Sequence, residues 1–277
     1  MPFSLVEGLD ASLFSVRVSN ALELGAEEFQ RSTTSAYSAI KQILKDRPNQ
    51  HPVRVWNYIP RILEPLGAFP QRYMAFNAGR FRAFEAWQDG GENLSSWVPT
   101  SSAVGNGSPD LVVHVLTCAT PGVPIENRRQ VSSYRYSRRW GPRPPCFSRA
   151  IRLVPNGSES ALLMIGGTAS VVGEETLHPG EVQAQIDETL RNLETLIRVG
   201  LAEGPKSHPP EDVLGLVRQL RVYYVRDEDW HTIDRAMRES FAGVREIEYT
   251  RATLCREGLV VEIEGVASLR AKEARRS

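Results

Sequence analysis

The residues best able to do chemistry lie near the end of the chain, in Val260-Val261-Glu262-Ile263-Glu264. A carboxyl set among apolar neighbours on a sheet loses the hydration of its charged form. Its pKa rises, so it holds a proton near neutral pH. That is what a general acid requires. Glu262 and Glu264 have the same parity along a strand, so composition does not choose between them. On a solvated polar face both would be ordinary surface residues. Tyr73 and Arg80 form a second pair. They are seven residues apart on a helical pattern, so they share one face two turns apart. Arg149, in Phe147-Ser148-Arg149-Ala150, enters an apolar strand, where an unpaired charge is costly. Gly167, ahead of Thr168-Ala169, either lets the backbone approach a ligand closely or simply packs.

These side chains need a frame. Residues 27–46 read as a helix with Tyr37, Ile40 and Leu44 on its buried face, ended by His51-Pro52. Residues 53–59 alternate as a strand, which Pro60 closes. Residues 73–87 are helical, with Phe76, Arg80 and Phe84 on one side and Gly90-Gly91 as the stop. Residues 111–118 form a strand, and residues 1–20 carry no strong pattern. Residues 121–149 hold five prolines and six arginines ahead of Arg149, which is too rigid and too charged for a core element. They predict an ordered connecting loop, because the aromatic-basic run 134–140 is costly to leave flexible in solvent.

Beyond the loop the pattern is clearer. Residues 160–170 are a buried strand, and 179–199 an amphipathic helix capped at Gly200. Residues 220–226 are a strand and 227–242 a helix. Residues 246–254 and 259–267 are strands, with Cys255 to Gly258 as a hairpin turn between them. The order predicts an α/β (α+β) fold, a mixed sheet with helices on one face. We divide the chain into residues 1–150, which include the basic loop, and residues 151–277.

Composition removes several function classes. Lys+Arg and Asp+Glu are 33 each, so no net charge argues for nucleic acid or an anionic membrane as partner. No apolar stretch approaches the roughly 18 residues that suggest a membrane span. The first ten residues lack the basic and apolar regions of a signal peptide. Cys118, Cys146 and Cys255 are odd in number and make no C-x-x-C pair, which points to a reduced, cytoplasmic protein. The five histidines are scattered, and no metal site is expected.

The strand ending GGTAS, the segment QAQIDETLRNLETLI, the strand VYYVRDEDW and the closing VEIEGVA, all within residues 160–267, resemble the RidA/YjgF-like fold. Whether the first half is a diverged second copy of that unit is left open. Further segments resemble one branch, the chorismatase family: RVWNYIP (54–60), RYMAFNAGR (72–80), SAVG (102–105), NRRQVSSYRY (127–136), GPRPPCFSRA (141–150) and LCREGLVVEIEG (254–265). By that resemblance the N-terminus is shorter than usual for the family, and Gly166 stands where a serine is commoner.

The resemblance implies removal of pyruvate from chorismate, with no metal or cofactor. The implied catalytic acid is Glu262, and Tyr73, Arg80, Tyr134, Arg149 and Gly167 would hold the substrate. Chorismate carries two carboxylates, which suit arginine forks. Cys255 and Gly167 match the branch that makes 3-hydroxybenzoate, a product of secondary metabolism. A thiol at 255, activated by Arg256, would assist on the ring. The alternatives are hydrolysis to a dihydroxycyclohexadienoate, a RidA-like enamine/imine deaminase, or a non-catalytic ligand-binding module. Both chorismate and 4-amino-4-deoxychorismate remain open as substrates, and the assembly as monomer or homotrimer.

Overall fold

The computed structural model describes residues 2–8, 10–87, 93–202, 211–244 and 246–269. The helix stop expected at Gly90-Gly91 lies outside them. The first half runs β1 (Phe3–Glu7), β2 (Ala11–Val18), α1 (Ala26–Lys45), β3 (His51–Pro60), α2 (Arg72–Trp87), β4 (Thr100–Asn106) and β5 (Leu111–Cys118). Then come β6 (Val123–Ile125), β7 (Ala150–Leu153), β8 (Leu162–Ala169), β9 (Val171–Val172) and β10 (Glu175–Thr176). The chain ends with α3 (Val182–Ala202), β11 (Val217–Tyr224), α4 (Trp230–Ser240), β12 (Ile247–Arg251) and β13 (Val261–Ser268).

The two halves are wound alike. One sheet has the order β1-β2-β5-β3-β4 and the other β12-β11-β13-β8-β7-β6. In each, a βαβαββ run places its last strand between its first and second, and its third strand lies parallel to the second at the edge. The open question of a second copy is thus answered at the level of topology. Residues 123–125 already belong to the second sheet, ahead of residue 150.

Each half builds its own core under its helices. On α1, Phe29, Thr33, Ala36, Tyr37 and Ile40 form one buried stripe at helical spacing. They pack with Phe14 and Val16 of β2 and Val113 and Val115 of β5. On α3 and α4, Ile186, Leu193, Ile197, Ile233 and Met237 cover Val222 of β11 and Ile263 of β13. The helix α2 is buried nearly all round. Gly79 allows this, because a Cβ there would stand 2.6 Å from the Gln30 carbonyl of α1. The sheet faces turned away from the helices meet each other. Val53 and Leu116 of the first pack on Ile151, Leu153 and Met164 of the second.

Four expectations need correcting. Residues 3–18 form a hairpin, β1 with β2, whose outer strand exposes Phe3 and Val6 and so hides the alternation. β4, an edge strand rich in serine, had not been expected. The Cys255 to Gly258 turn does not close a hairpin: β12 and β13 flank β11, so residues 252–260 cross over the end of that strand. Gly258 does turn the chain sharply within it, at φ +80°. Gly200 does not cap α3, which runs on to Ala202; it sits where a Cβ would press 2.9 Å from Leu163 Cδ1. No helix among the described residues is long and apolar enough to cross a membrane.

Candidate active site

β13 carries both glutamates toward the other sheet, and their partners separate them. Glu264 is saturated. Its Oε2 accepts from Arg54 Nη2 and Ser102 Oγ, each at 2.5 Å. Its Oε1 accepts from Trp56 Nε1 at 2.8 Å and Arg221 Nη1 at 3.2 Å. Four donors from three other strands surround it, two of them the guanidiniums of Arg54 and Arg221. Glu262, equally buried, has no hydrogen-bond partner among the described residues. Burial, and then the charge of Glu264, push its pKa up to about 8, while Arg54, Arg256 and Arg149 pull less strongly the other way. At neutral pH Glu262 is a carboxylic acid.

β8 is shaped to admit that acid. Opposite β13, Thr168 pairs with Ile263 and Ile165 with Gly265, so Gly166 and Gly167 together face Glu264 as a bulge. A Cβ on Gly167 would overlap the Glu262 carboxyl and stand 2.9 Å from Ser102 Oγ. One on Gly166 would overlap Thr100 Oγ1. The close approach expected at Gly167 is therefore an approach to Glu262 itself.

The crossover brings Cys255 and Arg256 beside the acid. Gln185 of α3 anchors it: Nε2 donates to the Gly258 carbonyl at 2.6 Å and Oε1 accepts from Val260 N at 2.9 Å. On the other side Gly105 N donates to the Thr253 carbonyl at 2.7 Å. Arg256 packs its guanidinium 3.7 Å from the Trp140 ring centroid and 5.1 Å from that of Tyr136, and donates to the Glu174 carbonyl at 2.7 Å. Cys255 is half-buried on the cleft. The activation expected from Arg256 does not prevail: burial, then the Glu262 charge, push the thiol up to about 12, and Arg256 only partly offsets them. The group present at neutral pH is the thiol.

The remaining wall comes from α2 and the basic loop. Tyr73, Met74, Gln130, Tyr136, Trp140, Phe147 and Arg149 join Gly167, Cys255, Arg256 and Glu262 around one cleft. Arg149 donates to the Tyr136 hydroxyl at 2.7 Å and the Val131 carbonyl at 2.9 Å, leaving Nε unpartnered. Burial pushes the Tyr73 hydroxyl up, so it remains a neutral donor. Of the residues singled out from sequence, Tyr73, Arg149, Gly167, Cys255 and Glu262 meet here. Arg80 lies one layer behind, donating to Asn77 Oδ1 at 3.0 Å and Ser101 Oγ at 3.3 Å. Tyr134 packs on the first core instead, and Tyr136 two residues on faces the cleft. Arg256, Tyr136 and Trp140 were not singled out as site residues. The aromatic-basic run was the available signal for the last two. No three His, Cys, Asp or Glu side chains among the described residues gather as a metal-binding group.

Two like-wound mixed sheets thus enclose, at their seam, a protonated carboxylic acid faced by two arginines and aromatic rings. Its groups have the chemistry to bind a small anion and to give it a proton. Residues 8–117 match the family model described as chorismatase FkbO/Hyg5-like, N-terminal. A 3-hydroxybenzoate synthase of Streptomyces hygroscopicus is 32% identical over 241 residues, 86% of this chain and 69% of the relative. A chorismatase of Streptomyces rapamycinicus is 30% identical over 247 residues, 87% of this chain and 71% of that one. A chorismatase crystal structure, 25% identical, superposes over 96% of this chain and 77% of its own with a TM-score of 0.81. The chain belongs to the chorismatase family.

Proposed function

We propose that this enzyme cleaves chorismate, releasing pyruvate and leaving 3-hydroxybenzoate. The observation that carries the reading is Glu262: a buried, unpartnered carboxyl with a pKa of about 8, in a cleft that also holds Arg149 and Arg256. The two guanidiniums suit the two carboxylates of chorismate. The Glu262 O–H gives its proton to the enolpyruvyl methylene, forming a C–H bond and an oxocarbenium-like centre. Water or the ring hydroxyl adds there, and the ketal collapses to pyruvate. In the aromatic route the ring also gives up its hydroxyl, so no water is consumed overall. In the diol route the ring keeps both of its oxygens and one water is consumed, its oxygen leaving in pyruvate.

Support for the aromatic product comes from Cys255 and Gly167 beside the acid and from the likeness to a 3-hydroxybenzoate synthase. The reading includes a reduced cytoplasmic setting, consistent with three free thiols. Incubation with chorismate tests it, with pyruvate measured by a coupled dehydrogenase and ring products by chromatography and mass. The expected result is equimolar pyruvate and 3-hydroxybenzoate. Pyruvate with only the diol would revise the product, and no pyruvate would refute the activity.

A further inference from the structure

The donors of Glu264 hold it outside the reaction cleft: Glu264 lines a separate pocket with Arg54, Trp56 and Arg221, whereas Glu262 lines the cleft. Yet the two carboxyls project from the same face of β13, two residues apart. Ser102 links their surroundings. Its hydroxyl donates to Glu264, accepts from Arg54 Nη2 at 2.6 Å, and stands against Gly167 on the side where the Glu262 carboxyl also lies.

Four donors can be brought to bear on a buried carboxylate only by ordering side chains from β3, β4 and β11. A carboxylate ion-paired with Arg54 and Arg221 opposes a second negative charge in the same low-dielectric region. We propose, building on the reading of Glu262 as the acid, that Glu264 is a positioning residue: a carboxylate ion-paired with Arg54 and Arg221 whose charge, on the same face of β13, favours the proton-donating form of Glu262 between turnovers.

Other groups face Glu262. Arg54 of β3, Arg149 of the loop and Arg256 of the crossover favour its anion. Cys255 and Tyr73 are neutral at pH 7, their protons held by burial. Tyr223, opposite Glu262 on β11, is likewise a neutral phenol. Glu264, ion-paired with Arg54 and Arg221, is the group in this set whose charge opposes that of Glu262, against the pull of the three arginines.

The test is the pH dependence of turnover, with the infrared band of the protonated Glu262 carboxyl followed in parallel. Glu262 must be protonated to act, so its ionisation sets an alkaline limb. Glu264→Gln removes the charge and keeps the shape, and moves that limb and the band's midpoint down by about one pH unit or more. Glu264→Asp, which keeps the charge, leaves both near the wild-type position. A purely structural role would lower turnover in both variants and leave the limb in place, which overturns the proposal. Should Glu264→Gln not fold because Arg54 is left unpaired, the double variant Arg54→Met/Glu264→Gln removes both charges. It shifts the limb in the same direction by less, and an unmoved limb there overturns the proposal too. If Glu262→Gln retains wild-type turnover, the acid assignment itself fails. If Glu262→Gln is inactive while the Glu264→Gln limb stays put, only the present inference fails.

Discussion

The two halves have one topology and different tasks. In the first, β2 pairs with β5 in unbroken register. In the second, β8 meets β13 with a bulge at Gly166-Gly167. The first half passes from its third strand to its fourth in four residues, 107–110, and the second takes nine, 252–260. Both departures fall beside the acid. The bulge clears space for the Glu262 carboxyl, and the longer crossover carries Cys255 and Arg256 over the end of β11. On the first half's own central strand, β5, the seam-facing residues are Val112, His114 and Leu116, with no carboxyl. The first half instead supplies α2 to the cleft wall and Arg54, Trp56 and Ser102 to Glu264. A repeated fold became a single site because the second half changed two short segments and the first half changed what it packs against them.

The sharpest way to break that asymmetry is at the acid. Glu262→Gln lowers turnover by about 10²-fold or more, as loss of a general acid does, with affinity changed only a few fold. His114→Ala, at the seam-facing centre of the equivalent strand, leaves turnover within a few fold of wild type. Equal losses in both would mean that the halves share the chemistry. The acid also leaves a mark on stability. Native Glu262 keeps its proton up to about pH 8, whereas the unfolded chain releases it near the ordinary 4.5. Between those values the native state binds the extra proton, so its stability falls as pH rises. Glu262→Gln removes that fall, and its melting temperature relative to wild type increases from pH 5 to pH 9.

Anion recognition comes next in size. Arg149→Ala and Arg256→Ala each weaken chorismate binding by about 1.5–3 kcal/mol, the usual range for hydrogen bonds to a charged group. Calorimetric titration on the Glu262→Gln background measures this without turnover. One arginine comes from the loop between β6 and β7 and the other from the long crossover. An unchanged dissociation constant for Arg256→Ala would show that the crossover serves the acid alone.

The bulge should matter less than the charges. Gly167→Ala puts a methyl group where the Glu262 carboxyl lies, and that flexible end must swing aside. A misplaced acid costs about tenfold in turnover, with little change in affinity. Single-turnover kinetics separate the two. Full activity in Gly167→Ala would show that β8 can yield, and that the bulge does not position the acid.

Much of this frame was legible in residue order. Tyr37 and Ile40 on α1, the alternation of β5, and Ile186, Leu193 and Ile197 on α3 are periodicities strong enough to predict their elements. Glu262 could be proposed from its apolar neighbours, but the choice over Glu264 came from the family resemblance alone, and its physical basis was not legible. It depends on Arg54 and Trp56, about 210 residues away in sequence. RVWNYIP could be recognised as a motif without showing that its arginine and tryptophan serve a glutamate on another sheet. The crossover was misread as a hairpin because two strands joined by a Gly-containing turn look alike whether they pair or flank a third. Tyr134 and Tyr136 differ only in which way an irregular loop turns them, and no periodicity decides that.

The smallest expected effect concerns Cys255, and it bears on why the second half's crossover is long. Burial holds this side chain as a thiol rather than a thiolate, so it is poorly suited to act as a nucleophile. What remains is a small, weakly donating group beside the acid, where the ring of chorismate would lie once the enolpyruvyl methylene faces Glu262. After pyruvate departs, the ring loses a hydroxyl to become aromatic or keeps both of its own oxygens as a diol. A compact thiol excludes water from that side and offers an S–H to the departing hydroxyl. Cys255→Ala removes the donor and opens a little volume without disturbing Glu262, which makes it a cleaner probe of product than any change at Gly167. Total pyruvate release falls no more than a few fold, while the diol share of the ring products rises. Cys255→Ser, which keeps a donor but attracts water, gives an intermediate ratio. If the ratio of 3-hydroxybenzoate to diol is the same in all three proteins, the thiol does not direct the ring, and the crossover's contribution to the site is Arg256.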